Sequence, residues 1–410
     1  MEKIVITGMG TVNPLGLSVA ESWKNVVNGV SGVGPITLFD ASGWNVQIAC
    51  ELKGFDPANY MDAREARRRD RFEQLGVAAA KEAIAQSGLE ITDANRARIG
   101  VVVSSAIGGL KSLQDAIQTI TADGPRRVSP FLIPMLMPNG AAGLIAIDFG
   151  IQGPSMSVAS ACASGADGIG MAWMMLRAGI IDAAVTGGAE STMCSTGVAA
   201  FDRIGAMSRH NADYSMTPAP FDKNRDGLVM GEGAGVLVLE RETTARARGA
   251  TILAELAGYA STADAYHVTA PDANGIGGAA AILGALNSAG VNLDEVGYVS
   301  AHGTGTQLND ASETKALKGA FGAQAYKLAI SSTKSMTGHM MGATGALEAI
   351  FCAQAIRDGV LPPTIHYQTP DPECDLDYIP NQAREIKVDV AISNAFGFGG
   401  HNAVLVVKRY

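Results

Sequence analysis

The sequence predicts a layered α/β fold built from two similar halves, and three observations carry that prediction. Short apolar runs bounded by glycine, serine and aspartate (KIVITG, RIGVVVSS, DAAVTGG, GVLVLE, GYVSAHG, KLAISST, VAISNA, AVLVV) read as strands. Alanine-rich stretches of helical period lie between them, and such alternation makes a layered α/β architecture. No Pro/Ser-rich linker interrupts the 410 residues, and the chain repeats itself.

The repeat comes in two pairs, in the same order in each half. Early on, the helix FEQLGVAAAKEAIAQSGL leads into the strand RIGVVVSS; later, GGAAAILGALNSAGV leads into VGYVSAHG. Each is an amphipathic helix, a glycine stop and a strand that runs out into small residues. Further along, CASGADGIGMAWMMLRAGII precedes GATGALEAIFCAQAIRDGVL by 180 positions, so that Ala163, Gly165, Ala166, Arg177 and Gly179 recur as Ala343, Gly345, Ala346, Arg357 and Gly359. Two halves follow, 1–250 and 251–410, each giving one central helix to a shared core. Glycine in a helix interior costs about 1 kcal/mol against alanine. Its presence at the start of both helices therefore predicts that they cross closely.

Composition narrows the function. Hydrophobic residues make up 47% and charged residues 17%, which suits a well-buried chain and not a disordered one. A net charge of −9 argues against nucleic acid. Apolar runs such as IGMAWMML are short and broken by Gly and Arg, so no membrane span is expected. The start MEKIVITGMG reads as a strand rather than a leader, and five unpatterned cysteines suit reduced thiols in a cytoplasm. DKNRDG imitates the opening of a calcium loop, but position twelve is Gly233, not a bidentate acid. The glycine loops match neither dinucleotide nor P-loop patterns.

The chemistry gathers at Cys162. The strand SMSVAS, 155–160, ends just before it and a helix begins just after it. At a helix N-terminus, unpaired N–H groups and the helix dipole lower a thiol's pKa and hold an oxyanion. His302 in SAHGTGT and His339 in STKSMTGHMMGATGA both follow predicted strands, amid Gly, Ser and Thr, with Lys334 close to the second. No metal-ligand spacing appears. A thiol, two imidazoles, an amine and glycine loops point to covalent acyl transfer with stabilisation of an enolate.

SACASGADGIG, AHGTGTQLND, STKSMTGHMMGATGALEAI, SNAFGFGGHNA, PFDKNRDGLVMGEGAG and KIVITGMGTVNPLG resemble, end to end and in order, the signature segments of the β-ketoacyl-[acyl carrier protein] synthases. They are most similar to the type II elongating branch. The resemblance implies a thiolase-like αβαβα fold of five layers and a decarboxylative Claisen condensation without a cofactor. Cys162 would take the acyl chain from a carrier protein as a thioester, with Cys162 and Phe398 N–H groups as its oxyanion hole. His302 and His339 would bind the malonyl thioester, and Lys334, countered by Glu348, would orient them. Thr304 and Thr306 would hold the pantetheine arm, Phe396 and Phe398 would form a gate on a glycine hinge, and Ile107 and Phe201 would line the acyl pocket. The resemblance also implies a homodimer; a structural monovalent cation near Glu348, Ser393 and Asn394 is a possibility only.

Three positions depart from the family pattern: His401 after GFGG, Ser164 after the nucleophile turn, and no basic residue at Gly205, although Arg203 is close. The basic run DAREARRRDRF places Arg64, Arg67, Arg68, Arg69 and Arg71 at a helix start. Arg64, Arg67 and Arg68, extended by Arg126 and Arg127, are the expected dock for an acidic carrier protein. A thiolase would need a second cysteine in AFGFGGHN, a starter synthase an asparagine at His339, and a non-catalytic binding subunit no Cys162. A type I elongating synthase and a polyketide ketosynthase share the same triad.

Overall fold

Ten strands make one sheet: β1 (Ile4–Val12), β2 (Ile99–Ser104), β3 (Ser155–Met156), β4 (Ala183–Glu190), β5 (Gly233–Arg241), β6 (Ala254–Ala263), β7 (Tyr298–Ser300), β8 (Ala329–Ser331), β9 (Val390–Gly397) and β10 (His401–Lys408). Six helices position the site: α1 (Arg71–Ser87), α2 (Gly140–Phe149), α3 (Ser164–Arg177), α4 (Ile276–Ala289), α5 (Gln307–Phe321) and α6 (Thr344–Asp358). The structure, a computed structural model, describes residues 2–410. All eight strand runs read from the sequence fall on these strands. The one missed, β6, has the β-poor sequence AELAGYASTA. It is a strand because β10 pairs with it from His401↔Ala263 to Lys408↔Glu255.

The duplication is visible in the strand order. From the centre outward one half runs β1-β5-β4-β2-β3 and the other β6-β10-β9-β7-β8, the same order with every number raised by five. Pairing directions match as well: β1–β5 and β6–β10 are antiparallel, β2–β4 and β7–β9 parallel. The halves meet where β1 pairs with β6 through only Val5↔Glu255 and Ile6↔Ala254. The helix–strand pairs noted in the sequence, α1 with β2 and α4 with β7, occupy equivalent places, and each helix stops at a left-handed glycine, Gly88 or Gly290.

Five layers result, as the family resemblance implies. α1 and α2 cover one half of the sheet, and α4 and α5 cover the other. α3 and α6 lie between, each touching strands of both halves. Their crossing is close because it is made of small residues. A Cβ on Gly165 would sit 2.5 Å from the Gly342 carbonyl oxygen, and one on Gly345 would sit 3.0 Å from the Ala166 Cβ. Nearly all of α6 is buried, from Thr344 to Ile356. No helix among the described residues is long and apolar enough to cross a membrane.

Candidate active site

The nucleophile turn is built by hydrogen bonds local to it. The strand preceding it stops at Met156, short of the 155–160 expected, because Ser160 is drawn into the turn. Its amide donates to Ser164 Oγ at 3.0 Å, Ser164 Oγ donates to the Ala161 carbonyl at 2.6 Å, and its own hydroxyl donates to Asp167. Tyr259 Oη donates to the other oxygen of Asp167 at 2.6 Å. Ala161 is held at φ 50°, a strained value for alanine, and a single 3-10 turn carries Cys162 onto α3. Gly397, at the end of β9, must be glycine: a Cβ there would meet the Ser160 carbonyl at 2.9 Å and the Cys162 amide at 3.0 Å.

Both histidines come from the other half. His302 follows β7, and His339 follows the short helix Lys334–Thr337. The Cys162 sulfur and a ring nitrogen of each histidine all lie within 4.8 Å of one another, and the two rings meet edge to face at 5.3 Å. Glu313 and Asp310 on α5, which the sequence reading did not single out, fix this wall. Glu313 accepts the amides of His302 at 2.8 Å and Gly303 at 2.7 Å; Asp310 accepts those of Thr304 and Gly305 at 3.1 and 3.3 Å. The signal was available: two acids three apart, one turn after a glycine loop full of unpaired amides. His339 Nδ1 lies 3.1 Å from Thr344 Oγ1, and its buried Nε2 has no partner among the described residues. Lys334 Nζ donates to Glu348 at 2.6 Å, and both side chains are fully buried.

Electrostatics sort the roles. Burial, with Lys334 nearby, pushes both imidazoles well below the usual histidine range, so each stands neutral with one N–H to give. The sulfur corrects the sequence expectation. Burial pushes the Cys162 thiol up to about 11, although the Phe398 amide, Lys334 and its own amide all pull it down. The helix N-terminus faces the sulfur, but desolvation is the larger effect, and the resting group is a thiol. Burial also raises Glu348 to about 7, with Lys334 opposing.

A cavity of about 270 Å³ leads to Cys162, His302 and His339. Thr304, Thr306, Phe201, Phe396 and Phe398 line it, and Met341 joins them. The Phe201 and Phe398 rings stack at 6.2 Å, and Phe396 lies 6.0 Å from His302. Phe398 precedes two left-handed glycines, Gly399 and Gly400, and the His401 ring sits against Gly399. Ile107 does not line the cavity, because the loop after β2 turns its backbone toward buried Glu190. Behind Cys162 the walls are apolar: Met193, Val198, Met207, Met230 and Met341 cluster with it.

The basic run divides. It spans a break between a short helix, Ala63–Ala66, and α1, because Asp70 caps the second. Arg69 turns inward to Asp148 at 2.6 Å and Arg71 to Glu232 at 2.6 Å, so both are structural. Arg64, Arg67, Arg126 and Arg127 are exposed, while Arg68 lies over the Phe131 ring at 4.6 Å. None of the five docking candidates lines the cavity; exposed Arg203 adjoins its rim at Ile204 and Gly205. Among the described residues, the buried oxygens Glu348 Oε2, Ser393 Oγ and Asn394 Oδ1 find no hydrogen-bond partner.

Residues 1–245 match the model for the beta-ketoacyl synthase N-terminal domain, and residues 253–368 match that for the C-terminal domain. The chain is 47% identical over 409 residues to the 3-oxoacyl-[acyl-carrier-protein] synthase 2 of Staphylococcus aureus strain N315, covering 100% of this chain and 99% of that one. Identity to the Synechocystis protein of the same name is also 47%, over 100% of this chain and 98% of that one. Among solved structures, the ishigamide ketosynthase/chain length factor superposes with a TM-score of 0.93 at 36% identity, over 100% of this chain and 99% of that one.

Proposed function

The chain belongs to the beta-ketoacyl synthase family, and from that premise we propose that it elongates acyl chains by two carbons as a 3-oxoacyl-[acyl-carrier-protein] synthase of type II. It is an acyl-transferring enzyme that forms carbon–carbon bonds. The observation that carries the residue assignment is the meeting, within 4.8 Å, of one buried thiol and two buried neutral imidazoles.

The acyl group arrives as a thioester on a carrier protein's phosphopantetheine, whose arm lies along Thr304 and Thr306. Cys162 Sγ attacks the carbonyl; the new S–acyl bond forms, the carrier's C–S bond breaks, and the thiol proton ends on the departing sulfur. Because the resting thiol is neutral, that proton leaves as the bond forms, with a neutral imidazole in reach to relay it. The malonyl thioester then occupies the same approach. Its bond to the carboxylate breaks, carbon dioxide departs, and N–H groups of His302 and His339 receive the enolate oxygen. We assign Thr344 as the donor across its 3.1 Å contact with His339 Nδ1, which puts the ring proton on Nε2, facing the cavity. The carbanion attacks the Cys162 thioester, whose oxyanion rests on the Cys162 and Phe398 amides. Collapse of that adduct breaks its bond to Cys162 Sγ and releases the 3-oxoacyl carrier; the thiolate left behind takes one proton from water, which restores the resting thiol. Burial keeps both imidazoles uncharged, and Lys334, paired with Glu348, adds a smaller push in the same direction.

No step above calls for a cofactor. The unpartnered oxygens of Glu348, Ser393 and Asn394 are of the hard donor type that a monovalent cation takes, and such an ion would satisfy them. Arg64, Arg67, Arg68, Arg126 and Arg127 suit the acidic face of a carrier protein, and a type II PKS ketosynthase of this fold (TM-score 0.92) has been solved in complex with its acyl-carrier protein. Ile117, Ile120, Ile133 and Ile147 are 55%, 47%, 63% and 75% exposed, which supports burial against a second copy in a homodimer. Five free cysteines suit a reducing cytoplasm.

Intact mass after mixing the protein with acyl-carrier protein tests the reading. One acyl group appears on Cys162, and adding malonyl-carrier protein converts it to the 3-oxoacyl product. In the same assay, charge reversal at Arg67 and Arg68 raises KM for the carriers about tenfold with kcat little changed, since rim charges act mainly on encounter. A protein that gains no adduct at Cys162 is not a condensing enzyme.

A further inference from the structure

We propose that Glu190 is a positioning residue that pins the wall behind the nucleophile and thereby limits the length of acyl chain that Cys162 accepts. The inference rests on the condensing reading above and deepens it.

Glu190 ends β4 with no exposed surface. Its Oε1 accepts from the Ser105 hydroxyl at 2.8 Å, and its Oε2 accepts from the amides of Ala106 at 2.7 Å and Gly342 at 3.2 Å. The Ile107 amide is turned to it as well. Ser105, Ala106 and Ile107 belong to the loop after β2 in the first half; Gly342 belongs to the turn before α6 in the second. One carboxylate therefore ties together loops from both halves. Among the described residues no arginine, lysine or histidine forms an ion pair with it. Burying a carboxylate held only by neutral donors is costly, and an apolar side chain would serve packing better. What the carboxylate supplies is geometry: several diverging N–H and O–H groups fixed on one point. The turn is shaped to receive it, since a Cβ on Gly342 would lie 2.5 Å from the Ala106 amide and 2.8 Å from Glu190 Oε2.

The pinned segments are the walls an acyl chain must pass. Met341 lines the cavity beside Cys162, and Ala106 packs against the apolar cluster of Cys162, Met193, Val198 and Met341. Thr304 and Thr306, along which the proposed pantetheine arm lies, line the same cavity with Leu308. The hydrocarbon beyond the thioester therefore has to enter that cluster. Methionines there yield by changing rotamer, but segments whose three amides and one hydroxyl all donate to a single buried carboxylate do not. The clasp thus marks where the space ends.

The test uses the full chain and a series of saturated acyl-carrier proteins from hexanoyl to palmitoyl. Acylation of Cys162 is followed by intact mass, and condensation kinetics are measured for each length. In Glu190→Gln, the amide nitrogen cannot accept from the loop, and the palmitoyl-to-hexanoyl ratio of kcat/KM rises about fivefold or more, with KM for malonyl-carrier protein moving less than twofold. Ser105→Ala, which removes one donor and keeps the carboxylate, shifts the ratio the same way by about twofold, and stands in if Glu190→Gln does not fold. An unchanged ratio, with all lengths slowed together and Tm lowered, makes Glu190 structural and overturns the proposal. Acylation of Cys162 by no chain in the wild-type protein overturns the condensing reading itself, and this inference with it.

Discussion

The two central helices begin alike and serve different chemistry. α3 and α6 each follow a 3-10 turn, Ala161–Ala163 and Met341–Ala343, whose first residue is held at positive φ, 50° and 44°. The residue after it is Cys162 in one turn and Gly342 in the other, and the first helical residue is Ser164 or Thr344. In the first half the Ser164 hydroxyl closes its own turn, onto the Ala161 carbonyl. In the second half the Thr344 hydroxyl leaves its turn and meets His339. Duplication thus supplied a strained elbow twice. One copy presents a sulfur; the other gives up its side chain, so that loops of both halves fit together, and turns its hydroxyl to orienting an imidazole.

The largest effect is expected from making the first elbow resemble the second. Cys162→Gly removes the group that carries the acyl chain, and condensation falls more than about 10³-fold, as for other covalent nucleophiles. Decarboxylation of malonyl-carrier protein, which calls on His302 and His339, remains measurable as released carbon dioxide. Condensation near the wild-type rate would place the nucleophile elsewhere. A smaller effect is expected from the second elbow. Thr344→Val keeps the shape and removes the hydrogen bond to His339, so kcat falls about tenfold, the value of one buried bond. Thr344→Ser restores it. If valine and serine variants turn over alike, the hydroxyl does not set the tautomer of His339.

Much of this was legible in the residues. Strands showed as apolar runs, and the duplication showed as recurring Ala163/Ala343 and Gly165/Gly345, because a close helix crossing tolerates little but Gly and Ala. Cys162, His302, His339 and Lys334 announced themselves as reactive types in glycine-rich turns. What stayed hidden depends on which way a side chain turns after folding. Arg69 and Arg71 look identical to Arg67 in sequence, yet two of the three are consumed by Asp148 and Glu232. Glu313 and Asp310 read as the polar face of a helix until the loop of His302 and Thr304 folds onto them. The direction of the thiol's shift is hidden for a related reason. A helix N-terminus is visible in a sequence; the depth of burial that outweighs it is not.

The smallest effect separates the helices themselves. At Gly165 a methyl group would press on the Gly342 carbonyl at 2.5 Å, and backbone cannot swing aside. At Gly345 the nearest atoms are the Ala166 Cβ at 3.0 Å and its amide at 3.1 Å, a contact relieved by a shift of a few tenths of an ångström. Alanine gains at most about 1 kcal/mol of helix propensity over glycine at either site. Overpacking costs about 1–3 kcal/mol where the surroundings are rigid. Gly165→Ala therefore destabilises by about 1–2 kcal/mol net, while Gly345→Ala stays within about 1 kcal/mol of the parent, both read from urea midpoints at constant m. The order matters more than the sizes. Were Gly345→Ala the more damaging, the crossing would be tightest against α3 itself, not against the turn that carries Gly342, and that elbow would be free to move without the nucleophile helix feeling it.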